Sequence, residues 1–446
     1  MTTTVAATKD QVQSHPYDYY YQPGDALRPA PPRIVPSSGW LAAPPVFESF
    51  KPKKLSAAQQ ELVAIAADHF WQGDVYMDAV AADFRALGSA KARAMFEQAL
   101  ENGIDSVPDA PRSFVEVFTQ LRNTPAWFDA ELWERGRELW INCSFAGKLG
   151  MGMIDALGTV VGAEVSSSVG ATGRLLSATR FYETGKFFFE ATFPEFIDQN
   201  SAAFKTAVRV RLIHALARGG LRRMWGDGQF AHHGNPISAT TTMGAAVTFG
   251  LLPMAVDHYY GRLKTDEEMD AVMHYWAYIG HVFGVPPELI PHTAEDGVVL
   301  ASYMTTHAGG PTEGTVKIAQ QLQTAVDGLL PAARWLAHAA VPAVMGLLAV
   351  YGGEQLARAA MHGTPYAARR FELWRRLFET MVVANVRYRI LLDKTPGARR
   401  RISRRAEIHD PFNARLMRGA RTLATKSSGY TYHDQSTSVP VGCPLH

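Results

Sequence analysis

Between Ser56 and Leu391 apolar residues recur at helical spacing in one segment after another, and strand-type alternation is rare. Nothing else in the chain constrains the fold as strongly. A helix with one apolar stripe must bury that stripe on another element, so a long series of such helices has to pack on itself. The expected fold class is all-α, with helices over roughly 56–71, 75–86, 88–102, 111–122, 129–148, 151–169, 172–190, 200–221, 240–261, 265–283, 294–308, 313–325, 328–350, 354–362 and 366–391. Ser56 and Asp129 stand where N-caps belong. The glycine- and histidine-rich stretch Gly226–Pro236 reads as a loop, and Gly284–Pro291 as a proline-bounded turn with one helical turn inside it. No repeat of fixed period is visible.

At 446 residues the chain is long enough for two or three domains, yet no linker follows Pro52. The expected organisation is an extended, Pro-rich arm over 1–54, a single helical body over 55–395, and a basic segment with a tail over 396–446. A formal net charge of +2 gives no general attraction to nucleic acid. Cys143 and Cys443 lie far apart, which fits neither a disulfide framework nor a CxxC metal site. The first twenty residues contain no basic stretch leading into an apolar one and no twin arginine, so a cytoplasmic chain is expected. The longest apolar run, Trp335–Tyr351, includes His338 and Pro342 and is barely long enough to span a bilayer. It is expected to be a buried core helix, with peripheral membrane contact left open. The arginines from Arg369 onward form a positive belt that reads as a solvated or docking face.

Candidate chemistry concentrates between Val160 and Arg223. Glu164 sits among Gly, Ala and Val, where a carboxylate must be paired or protonated; it is a candidate base, or half of an ion pair with Arg174 or Arg180. Arg180, Glu183 and Thr184 fall on one helix face, offering a charge and a hydroxyl. His214 shares its face with Ala207, Val210, Arg211, Ala217 and Arg218. The small residues would let a flat ring approach the backbone, and the two arginines could meet a pair of ligand carboxylates such as haem propionates. A neutral imidazole ligates iron well, but a lone histidine on an apolar helix is more often a hydrogen-bonded core residue. Spacing alone leaves both readings open. So does a two-histidine-plus-carboxylate iron site drawing on His232 and His233. Phe187, Phe188, Phe189, Phe193 and Phe196 read first as core, with some rings able to line an apolar channel.

These residues resemble the latex clearing protein family of haem b rubber oxygenases, and the related fungal oxygenases that cleave a terpenoid side chain. The resemblance runs from about Thr124 to about Ala308. It is carried by TPAWFDAELWERGRELW, by GAEV around Glu164, by RFYETGKF from Arg180 to Phe187 and by VRVRLIHALAR around His214. NPISATTTMGAAVTFGLLP and YWAYIGHVFGVPPELIP extend it. The resemblance implies a globin-like helical core around a b-type haem, elaborated with further helices. It implies His214 as the iron ligand, Glu164 as the pocket carboxylate, and Arg180 and Thr184 as pocket residues. One departure stands out. Where rubber oxygenases carry a lysine that caps the iron this chain has Glu183, and Lys186 is three residues out of register. An open or water-filled sixth position is therefore expected. The implied activity is oxidation or cleavage of a C=C bond by dioxygen in a hydrophobic, isoprenoid-like substrate. A haem peroxidase or peroxygenase on the same scaffold and a non-catalytic haem- or lipid-binding protein are the alternatives.

Overall fold

The computed structural model describes residues 24–33, 45–161, 178–306, 311–328, 331–407, 418–419 and 421–422. Fifteen α-helices of ten residues or more lie among them: α1 Ala57–Asp68, α2 Val75–Leu87, α3 Ser89–Asn102, α4 Arg112–Arg122, α5 Ala130–Ile141, α6 Phe145–Val161, α7 Ala178–Glu190, α8 Ala202–His233, α9 Ala239–Tyr259, α10 Asp266–Val282, α11 Ala294–Thr306, α12 Glu313–Asp327, α13 Pro331–Ala360, α14 Glu372–Asp393 and α15 Ala398–Glu407. No strand occurs among the described residues, and the fold is all-α.

The starts of several helices are set locally. Ser56 forms a capping box with Gln59, and Thr265 forms one with Glu268. Asp129 accepts from the Glu131 and Leu132 amides at 2.9 and 3.0 Å. The centre is α9, packed between α6, α10 and α11, with Met243, Val247, Leu251 and Val256 fully buried. Packed helices come close in this body where glycines face their neighbours. A Cβ at Gly136 of α5 would strike the Ala271 carbonyl of α10, and one at Gly250 of α9 would strike the Trp276 ring. Residues 24–33 lie on this body. The Arg28 Nε donates to Asp68 at 2.9 Å, and the Trp71 indole donates to the Pro29 carbonyl at 2.7 Å.

Three sequence expectations are corrected. The helix expected over 129–148 is two, broken at Asn142–Ser144, because these residues have partners elsewhere. The Ser144 amide donates to Asp257 at 2.9 Å, and the Asn142 carbonyl accepts from Arg262 at 2.8 Å. The expected loop after Gly226 is helical as far as His233, and Gly226, at φ +65°, separates two helical segments of α8 at a kink. Trp335–Tyr351 is not a buried core helix throughout. Met345, Leu348 and Tyr351 are buried, but Trp335 is 72% exposed and Leu336 is exposed with it. Two described helices, over 239–259 and 333–360, are long and apolar enough to cross a membrane; the first is mostly buried in the body.

Candidate functional site

Helix α8 starts at Ser201, whose hydroxyl accepts the Phe204 amide at 3.1 Å. It buries Phe204, Ala207, Val208, Arg211, Leu212, Ala215 and Arg218 and exposes Ile213. His214 is half-buried, and its ring lies 5.8 Å from that of Phe283 at the end of α10. Together with Gly73, Thr242, Gly284 and Val285 these two rings line a small pocket that opens to solvent.

The two arginines on this face also line the pocket, but their donors are directed at the protein. Arg211 is 1% exposed and grips Asp74, the N-cap of α2, with Nε donating to Oδ2 at 2.5 Å and Nη2 to Oδ1 at 2.9 Å. Its Nη1 donates to Gln120 at 2.7 Å and to the Val282 carbonyl at 3.2 Å. Arg218 donates from Nε to both oxygens of Asp78 at 2.9 and 3.0 Å, and from Nη1 to the Ile237 carbonyl at 2.6 Å. Arg211 and Arg218, expected to meet the carboxylates of a cofactor, are thus each paired with an aspartate of the chain. A guanidinium this deeply buried requires a counter-charge, and the chain supplies one for each. The four side chains sum to zero charge.

The clamps are built against backbone. A Cβ at Gly73 would collide with Asp78 and Arg218, and one at Gly284 with Asp74 and Arg211. Gly284 also has φ +78°, in the left-handed region. Arg211 precedes His214 by three residues and Arg218 follows it by four, so one face of α8 is pinned on both sides of the imidazole. Beyond Gln120 lies His281, 3.3 Å away. Burial, and then the Arg211 charge, push the His281 pKa down to about 4, so its ring is neutral at pH 7 and Nε2 accepts the Gln120 amide.

An apolar row leads away from His214. The Phe283 ring meets Phe187 of α7 at 5.1 Å, Phe187 meets Phe188 at 5.5 Å, and Phe188 meets Phe249 at 4.5 Å. Phe187 and Phe188 are half-buried, whereas Phe196 is fully buried core. Positions 180 and 184 lie on α7 two turns and one turn before Phe187, but the side chains of Arg180, Glu183 and Thr184 lie outside the described residues, as does Glu164 altogether. Lys186 bonds Glu190 at 2.8 Å, one turn along its own helix.

His232 and His233 end α8 with rings 4.9 Å apart and nearly perpendicular. Among the described residues no three His, Cys, Asp or Glu side chains gather as a metal-binding group, there or elsewhere. Burial, then His232 and Arg33, push the His233 pKa down to about 4. Sequence reasoning missed Asp74, Asp78, Gln120 and Phe283. Asp74 did carry a local signal, since Gly-Asp before an apolar run is an N-cap pattern, but its pairing with a residue 137 positions away had none.

The geometry offers one half-exposed imidazole over a pocket, a rigidly oriented helix face behind it, and an apolar aromatic wall beside it. Such a site can present one nitrogen ligand to a flat, largely apolar group. A solved structure of latex clearing protein in its closed state matches the fold with a TM-score of 0.57 and 19% identity, over 80% of this chain and 91% of that one. No curated protein matches. The family model described as ER-bound oxygenase mpaB/B'/rubber oxygenase, catalytic domain, matches residues 137–383, more than half of the 446-residue chain and the whole of α8 and α10. The chain belongs to this family of oxygenase catalytic domains.

Proposed function

We propose that this chain is a haem b-dependent oxygenase that uses dioxygen to oxidise or cleave a C=C bond in a hydrophobic, isoprenoid-like substrate. The observation that carries the reading is His214, half-exposed on the pocket, held between two buried arginine–aspartate clamps and facing a row of phenylalanines, in a chain of an oxygenase family. A half-exposed His214 beside the rings of Phe283 and Phe187 fits a group of this kind. His214 would hold the iron, and Phe283 and Phe187 would contact the ring or the substrate. Haem, when bound, supplies the iron redox chemistry that activates dioxygen.

The chain supplies the rest. The clamps fix the rotation of α8, so the imidazole is oriented before any ligand arrives. Arg211 and Arg218 are positioning residues in this reading. The phenylalanine row excludes water and receives an apolar alkene. Glu164 takes an allylic proton from the substrate or steers the reaction, and Arg180 and Thr184 orient the pocket. Cleavage of an alkene by dioxygen balances without a further reductant, since the C=C and O=O bonds break and two C=O bonds form.

The test is an absorption spectrum of the purified protein, oxidised and then reduced under carbon monoxide, with haem quantified per chain. One Soret-absorbing haem per chain with a complete carbon monoxide shift is expected. His214→Ala should lose the haem, while Glu164→Ala keeps it and loses oxygen uptake with isoprenoid alkenes. An unchanged spectrum in His214→Ala would refute the ligand assignment. Turnover with hydrogen peroxide but not dioxygen would move the activity to a peroxygenase.

A further inference from the structure

Helix α14 faces the wrong way for a soluble helix. Phe371, Val382 and Val386 are buried on its inner side, and Trp374 packs on α13, where a Cβ at Gly346 would strike it. On the outer side Leu373, Leu377, Met381, Ala384, Tyr388 and Leu391 follow one another at steps of four, four, three, four and three residues. That spacing keeps them on one face. All six are exposed, Leu373 by 79% and Leu391 by 64%. A 22-residue helix is about 33 Å long, so this is a continuous apolar stripe rather than scattered surface leucines.

The charge around the stripe is one-sided. Arg376, Arg387 and Lys394 are exposed and fall three and two turns apart along one flank of it. The three acidic residues of the helix are each paired with an arginine, Glu372 with Arg358 at 3.6 Å, Glu379 with Arg375 at 3.7 Å and Asp393 with Arg262 at 2.7 Å. The following helix α15 adds exposed Arg399, Arg400, Arg401 and Arg404. Between Arg369 and Glu407 there are twelve Lys or Arg and four Asp or Glu, in a chain whose net charge is only +2.

We propose that the α14–α15 face docks the protein on an anionic lipid surface, with α14 lying in the plane of the interface. Leucine, methionine and tyrosine along one edge with arginine and lysine along the other is the pattern of an interfacial helix. The apolar edge enters the acyl boundary while the long basic side chains reach back to phosphates. Charge selects this occupant. A second copy would bring the same excess of arginine to the same face and be repelled, and nucleic acid would leave the leucine stripe in water. This inference does not depend on the haem reading.

The full chain should co-sediment with vesicles of 70% phosphatidylcholine and 30% phosphatidylserine, and poorly with pure phosphatidylcholine vesicles. Salt at about 0.5 M should release it, since screening shortens the reach of each charge to a few ångströms. Neutralising Arg376, Arg387 and Lys394 to alanine should weaken partitioning about five-fold for each charge removed, on anionic vesicles only. Leu373→Glu with Leu391→Glu should abolish it, and because both side chains are exposed the melting temperature should not move. Two results overturn the proposal: equal or no binding of the native chain to the two vesicle types, or a dimer in light scattering that Leu373→Glu dissociates. The native chain alone decides the vesicle arm, whatever the variants do.

Discussion

Replacing Asp74 by Asn tests the clamp on α8 most directly. The substitution preserves shape and leaves Asn Oδ1 to accept the Met77 amide, now at 3.2 Å, so the cap of α2 survives. It removes the negative charge beside Arg211, whose side chain is 1% exposed against 7% for Asp74. Removing one partner of a buried pair leaves the other charge uncompensated, and such losses run at about 3–5 kcal/mol. Loss of the cap alone would cost only about 1 kcal/mol. The expected destabilisation of Asp74→Asn is therefore about 3 kcal/mol, read by urea unfolding followed through tryptophan fluorescence. The second arm is Asp74→Asn combined with Arg211→Met, which removes both charges and should recover at least half of that loss. Haem titration of the same proteins should show weaker binding in the single variant, because the face bearing His214 is no longer held. A single variant within 1 kcal/mol of the parent would refute the reasoning. So would a double variant whose loss equals the sum of the two single losses, since independent residues add and coupled ones do not.

Gly284→Ala should weaken the same clamp from the backbone side, through collision with Asp74 and Arg211 and through its φ of +78°; a lower melting temperature and weaker haem binding check it. Acid should destabilise the fold through His281. Its folded pKa of about 4 lies below the ordinary histidine value, so between the two the unfolded chain takes up a proton that the folded chain refuses. Stability is then full above about pH 6.5 and falls toward pH 4 by on the order of 3 kcal/mol, and His281→Asn should flatten that part of the profile. Asp257→Ala should destabilise by about 3–5 kcal/mol, because this fully buried carboxylate accepts from the Ser144 amide at 2.9 Å and from Arg262 at 2.7 Å; denaturant unfolding reads the loss.

Local chemistry made much of the fold legible. Helical periodicity and the caps at Ser56 and Asp129 were readable because they depend on residues within a turn or two of one another. The break at Asn142–Ser144 was not, because the groups that claim those polar atoms, Asp257, Arg262 and Arg389, lie more than a hundred residues away. Gly226 does break the helix, as its type suggested, but the residues beyond it form a second helical segment as far as His233 rather than a loop. At the site, the sequence marked His214 and its small-residue face. It marked Arg211 and Arg218 too, but with a ligand as their partner. A guanidinium declares its charge in the sequence and its counter-ion only in space. What the sequence determined by itself is the helical class and most helix starts, since those follow from spacing and residue type. Tertiary structure decided what each buried charge is paired with, because burying an arginine is tolerable only where a distant carboxylate arrives to meet it.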